Sequence, residues 1–286
     1  MNISGHTQPF AVVGHPIGHT LSPVMHNASF AALGLDAIYL AFDVKPERLM
    51  AVLPALRSMG FGGVNLTIPH KEVAFRGLEK LDASAQLLGA VNTVQFSEGG
   101  MIGHNTDGFG FLRALDEAFG RNTTDDSVFV LGSGGAGRAV ALMAAQAGAR
   151  EVTLADLDHA RSERVGEEIR GHFPGVSVRV VSTPVEQAAA ARKADLVVQA
   201  TPVGMKPTDL SLLPPEAFRP DQRAFDLIYH VAETVFMRAA RAGGAQASNG
   251  LGMLLHQGAR AFHIWTGMDP SVAAMRQALE KAVYGR

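Results

Sequence analysis

The 286-residue chain contains no cysteine, which removes disulfides, thiolate nucleophiles and cysteine-ligated zinc or iron–sulfur clusters together. Charge of one sign is missing too. Asp+Glu number 27 against Lys+Arg 25, a formal charge of −2, and no block of like charge interrupts the mixture, so there is no electrostatic footprint for nucleic acid or a membrane surface. The expected partners are small molecules or another copy of the chain, as a monomer or homodimer. Long apolar runs are also absent: AVALMAAQAGA is too short to span a bilayer. MNISGHTQPF carries neither a basic n-region nor an apolar h-region. A soluble, cytoplasmic protein is expected. The histidines do not make a metal site, because His15 and His19 flank Pro16 and Gly18 in a loop, His26 follows, and no H-E-x-x-H occurs.

What is present is a chain that is 47% hydrophobic and long enough for two domains. The first hundred residues alternate short apolar runs (FAVVG, YLAFDV, GGVNLTI) with helical patterns (PVMHNASFAALG, PERLMAVLPALRSMG), a β/α/β rhythm. AVNTVQF and MIGHN follow around the turn SEGG, and then the helix DGFGFLRALDEAFG; the polar stretch GRNTTDDS after it reads as a boundary. The rhythm restarts with SVFVLG, EVTLAD, VSVRVV, DLVVQA and RAFDLIY, strands suited to a parallel sheet covered by helices. PTDLSLLPPEAFRP reads as a loop over the sheet edge.

LGSGGAGRAV places Gly132, Gly134 and Gly137, with Ser133, Gly135 and Ala136 between them, after a strand and before a helix. This is the context of a dinucleotide fingerprint: a tight turn, close backbone approach to a pyrophosphate, close helix–strand packing and a helix N-terminus facing the anion. Asp156 ends the next strand where an acidic side chain accepts from ribose hydroxyls and repels a 2′-phosphate, which argues for NAD over NADP. Asp158 is an alternative for that role and otherwise a helix N-cap. Arg161 keeps NADP open. QATPVGM puts Thr201 and Pro202 at the carboxyl edge of the sheet, where nicotinamide contacts belong.

In the first hundred residues, Thr20 and Ser22 emerge from a loop after the first strand, and Ser22-Pro23 also reads as an N-cap and N1 pair. Asn65 and Thr67 share a strand face by alternation, and Lys71 sits one turn beyond. Asp107 follows a strand and opens a helix in a polar cluster with Asn105. If Lys71 and Asp107 meet, the carboxylate orients the ammonium and the pair can pass a proton to or from a substrate oxygen.

HTLSPVMHN, NLTIPHKE, GAVNT, NTDG, the strand–GSGGAG–helix, ATPVGM, DLIY and GLGMLLHQ stand in this order along nearly the whole chain. The set resembles the shikimate dehydrogenase family, including its quinate/shikimate branch. The resemblance implies an α/β fold with a substrate domain over residues 1–107 and 251–286, a Rossmann domain over 108–250 and a cleft between them. It implies reversible hydride transfer between 3-dehydroshikimate and shikimate, in aromatic amino-acid synthesis, with NAD preferred and an NADP enzyme as the alternative. It further implies that Thr20, Ser22 and Tyr229 hold the substrate carboxylate and that Asn65, Thr67, Asn92 and Gln257 hold ring hydroxyls. It also implies that Gly250 passes near the nicotinamide and that Lys71 and Asp107 form the acid/base pair. Thr20 stands where the family usually has serine, and its added methyl bears on shikimate against quinate. ADLDHAR lacks the Asn-Arg-Thr pattern of many NADP-specific members. A non-catalytic sensor on the same scaffold is a further alternative, against which the retained Lys71 and Asp107 count.

Overall fold

The computed structural model describes residues 3–206 and 208–285. The first residue of the proline-rich segment, at position 207, lies outside them. Along the chain run β1 (Gln8–Gly14), α1 (Ser22–Ala32), β2 (Ala37–Asp43), α2 (Leu49–Ser58), β3 (Gly63–Leu66), α3 (His70–Gly77), β4 (Lys80–Leu81), α4 (Ala83–Leu88), β5 (Thr93–Ser97), β6 (Gly100–His104) and α5 (Asp107–Phe119). There follow β7 (Ser127–Leu131), α6 (Gly135–Gln146), β8 (Glu151–Ala155), α7 (His159–His172), β9 (Ser177–Val180), α8 (Pro184–Lys193), β10 (Leu196–Gln199), β11 (Arg223–Asp226), α9 (Val235–Ala242), β12 (Gln246–Asn249), α10 (Leu251–Thr266) and α11 (Val272–Tyr284).

Contacts divide the chain into two compact units, one taking in the chain up to Gly110 and again from Leu254, the other Phe111–Met253. The polar segment 120–127 joins α5 to β7 inside the second unit, so it is an internal connection and not a boundary.

The first unit is built on a six-stranded sheet of order β2-β1-β3-β5-β6-β4. Strands β1, β2 and β3 are parallel, β3–β5 and β5–β6 antiparallel. Period-two alternation on β1 buries both faces. Ala11 and Val13 join Leu49, Leu53 and Leu66 on one side, while Phe10 and Val12 join Phe30, Tyr39 and Phe262 on the other. Helices α10 and α11 complete this unit from the far end of the chain: Trp265 donates from its indole to Val94 O at 3.1 Å, and Ser271 N–H donates to Ser29 Oγ at 3.0 Å.

The second unit is a fully parallel sheet of order β12-β11-β10-β7-β8-β9. In sequence terms this is 3-2-1-4-5-6, the doubly wound dinucleotide-binding arrangement, with its switch point between β7 and β10. Phe129, Leu131 and Val197 pack with Ala191, Phe236 and Ala240 from α8 and α9. No helix among the described residues is long and apolar enough to cross a membrane.

Candidate functional site

In the first unit β3 ends at Leu66, and the next residues turn at once: Thr67 N–H donates to Val13 O at 3.0 Å and Thr67 O accepts His70 N–H at 2.8 Å. The turn delivers Lys71 to the start of α3, where its carbonyl accepts Val91 N–H at 2.9 Å. The lysine backbone is thereby tied to the segment entering β5. Asn92 on that segment donates its N–H to His104 O on β6 at 3.0 Å. After β6 the chain bends into α5 around Asn105, whose side-chain oxygen accepts Asp107 N–H at 3.0 Å and whose amide donates to Ala90 O at 2.9 Å.

These ties bring together two side chains far apart in sequence. Lys71 Nζ donates to Asp107 Oδ2 at 2.6 Å, with the two side chains 30% and 19% exposed. Asn92 Nδ2 donates to the other carboxylate oxygen, Oδ1, at 2.9 Å and lies 3.4 Å from Gln257 Oε1. With both oxygens held, the Asp107 carboxylate is fixed in rotation and keeps the ammonium aimed. Such a pair can deliver a proton to an oxygen that gains negative charge.

Of the other expected substrate residues, Asn65 is joined to Asn92, and so to this pair, by hydrogen bonds. Asn65 donates to Asn92 O at 3.1 Å and to Thr93 Oγ1 at 3.0 Å, and its oxygen accepts the Tyr39 hydroxyl at 2.6 Å. Thr93 donates to Asn92 Oδ1 at 2.9 Å, an oxygen that also accepts Thr106 N–H at 2.8 Å. Thr20 Oγ1 donates to Ser22 Oγ at 3.3 Å, and burial pushes the ionisation of the Tyr39 phenol well above its ordinary range. Ser22 does not cap α1 as expected: the helix begins at Ser22 itself, Leu21 holds the cap position without a side-chain bond, and Met25 N–H reaches Leu21 O at 3.3 Å. Tyr39, Thr93 and Thr106 were not legible as site residues. Tyr39 in YLAFDV reads as a core aromatic and Thr93 as one more strand residue.

In the second unit Gly132 has φ +101°, and a Cβ there would stand 2.8 Å from the Ala200 carbonyl. A Cβ on Gly137 would stand 1.8 Å from Gly132 O, so only glycine closes the β7–α6 turn. By contrast, a Cβ on Gly134 or Gly135 would meet nothing within 4 Å, which leaves open space over the start of α6. That helix has no side-chain cap at Gly134, so its first N–H groups are available to an anion. Ser133 is buried, with its hydroxyl 2.9 Å from Ser162 Oγ, and so faces α7. Asp156 follows β8 and accepts Ser133 N–H at 2.7 Å and Asp158 N–H at 2.8 Å. Asp158 caps α7 through Arg161 N–H. The Arg161 guanidinium lies 3.5 Å from each of the two carboxylates. Thr201 accepts Val203 N–H at 3.2 Å in the turn with Pro202. The glycine turn, open space and uncapped helix start fit a dinucleotide pyrophosphate.

Tyr229 and Gly250 also belong to the second unit. A carboxylate that the sequence did not single out shapes the loop around Tyr229: buried Asp226 accepts Ile228 N–H at 3.0 Å and the Thr234 hydroxyl at 2.6 Å. Burial pushes its pKa up to about 6 and raises that of Tyr229. Gly250 N–H donates to Ile228 O at 3.1 Å, and a Cβ on Gly250 would stand 2.3 Å from Leu227 O, so the chain passes this loop at close range.

Residues 12–94 match the shikimate dehydrogenase substrate binding domain, and residues 250–280 match the shikimate 5'-dehydrogenase C-terminal domain. A relative from Methanopyrus kandleri named shikimate dehydrogenase (NADP(+)) is 42% identical over 98% of this chain and 97% of its own length. Among solved structures, shikimate 5-dehydrogenase from Listeria monocytogenes in complex with shikimate and NAD superposes with a TM-score of 0.91 at 36% identity, covering 98% of each chain. Quinate dehydrogenase from Corynebacterium glutamicum in complex with NAD gives 0.87 at 32% identity, covering 95% of this chain and 98% of the other. By full-length identity and by fold, the chain belongs to the shikimate dehydrogenase family of dinucleotide-dependent oxidoreductases.

Proposed function

We propose that the chain interconverts 3-dehydroshikimate and shikimate, with residues 1–107 and 251–286 binding the substrate and residues 108–250 binding the dinucleotide. The observation that carries this reading is the Lys71–Asp107 pair at 2.6 Å. In the reductive direction the Lys71 ammonium gives a proton to the carbonyl oxygen as that oxygen becomes a hydroxyl. Asp107 stabilises the charged lysine beforehand and is itself held by Asn92. In the oxidative direction neutral Lys71 takes the hydroxyl proton. Thr20 and Ser22, with Tyr229, hold the substrate carboxylate; Asn65, Thr67, Asn92 and Gln257 hold ring hydroxyls. The glycine turn from Gly132 to Gly137, with Asp156, Asp158, Thr201, Pro202 and Gly250, holds the dinucleotide, which supplies the hydride acceptor or donor.

The names of full-length relatives support NADP as the cofactor better than the NAD expected from the sequence. A second reading, NAD, rests on Asp156 and Asp158: Arg161 is occupied by these two carboxylates, and a 2′-phosphate would meet their negative charge. Absorbance at 340 nm, with shikimate or quinate offered separately alongside NADP or NAD, tests all of this. Shikimate turnover faster with NADP than with NAD is expected from the first reading, and the reverse order from the second. Absence of turnover with every pairing would overturn the catalytic reading in favour of a sensor.

A further inference from the structure

Asn65 is 5% exposed, and its amide is fully engaged on one side. Its Nδ2 faces Asn92 O at 3.1 Å and Thr93 Oγ1 at 3.0 Å. A backbone carbonyl only accepts, so the nitrogen and not the oxygen must lie there. The Asn65 oxygen then faces the Tyr39 hydroxyl, which must donate to it. Both N–H groups are spent, and one carbonyl lone pair remains. An asparagine in that state can accept from a ligand but cannot donate to one.

Tyr39 is well placed to impose this state. It is 1% exposed on β2, and its ring stacks on His26 with centroids 4.3 Å apart and planes 9° apart. Its own backbone N–H and carbonyl are both bonded by the Asn27 side chain, at 2.8 and 2.9 Å. Ring, backbone and hydroxyl are therefore all fixed.

Taking the proposed function as given, we infer that Tyr39 is a positioning residue that locks Asn65 as a hydrogen-bond acceptor towards the substrate. An acceptor matches a ring hydroxyl that survives the reaction and mismatches the oxygen that becomes a carbonyl. Asn65 therefore holds a hydroxyl other than the one oxidised, which separates it from the work of Lys71.

Tyr39→Phe deletes one oxygen and keeps the stack on His26. It is expected to lower kcat/KM for shikimate about tenfold, the scale of one buried hydrogen bond, while leaving the dinucleotide KM unchanged. In an Asn65→Ala background the same substitution is expected to change kcat/KM less than about twofold, because the hydroxyl then has nothing to position. A general loss of packing would multiply in both backgrounds. An equal loss with and without Asn65, or no loss in either, would overturn the inference. Side-chain amide hydrogen exchange at Asn65, measured on the ligand-free protein, decides the point without turnover: at least tenfold faster exchange in Tyr39→Phe is expected, and unchanged exchange contradicts it. If the wild type fails to turn over shikimate, the functional reading falls while the exchange result still judges this one. Tyr39→Leu, which also lacks the hydroxyl, replaces Tyr39→Phe if that variant does not fold, with the same outcomes.

Discussion

Two buried ionisable side chains contribute opposite pH dependences to stability. His26 is fully buried against Tyr39, Phe262 and Trp265, and burial lowers its pKa from 6.5 to about 3. The unfolded chain takes up a proton below 6.5 and the folded one does not, so stability present above that value is lost as pH falls towards 3. His26→Phe is expected to reduce the stability loss between pH 7 and about pH 4.5 by about 3 kcal/mol, read from urea unfolding at both pH values. Asp226 has the opposite sign. Its pKa rises from 3.8 to about 6 because the carboxyl is buried, so the folded state keeps the proton longer and stability is lost as pH rises through that window. Asp226→Asn is expected to gain on the wild type by about 2 kcal/mol between about pH 4 and pH 7. A constant difference between the two proteins would show that Asp226 does not titrate there.

Among the elements, the β7–α6 turn is the one where a single methyl has the largest expected effect. Gly137→Ala places a carbon 1.8 Å from Gly132 O, so the helix must move off the strand. Dinucleotide affinity, followed by fluorescence titration, is expected to fall at least tenfold along with stability; unchanged affinity would mean that the turn tolerates the shift. This turn was legible in the sequence because glycine is required there by backbone contact. Strands β1, β3 and β7 were legible because they are apolar and bounded by turns. Strand β4 was not: Lys80 and Leu81 are too few to show a period, and they pair with β6 at the sheet edge. Ser-Pro is a cap pattern by composition, but α1 begins at Ser22 itself, and the Ser22 hydroxyl accepts from Thr20 Oγ1 in the loop before it. By spacing alone Lys71 and Asp107 were legible only as candidates, and the resemblance implied the pair; the spacing between β3, β5 and β6 that joins them follows from sheet order.

For the whole molecule, the first unit is closed by the last residues of the chain. Leu279 and Met275 of α11 are fully buried, and α11 packs on α1, the helix that starts with Ser22. Leu279→Ala is expected to cost about 2–5 kcal/mol of stability in chemical denaturation; a cost below about 1 kcal/mol would show that α11 is not part of that core. Lys71, aimed by Asp107, is proposed to move the proton in catalysis. Steady-state kinetics of Lys71→Ala with saturating dinucleotide tests it most directly. A fall in kcat of about two to four orders of magnitude, with KM for shikimate little changed, is the expected result; a loss confined to KM, with kcat intact, would contradict it.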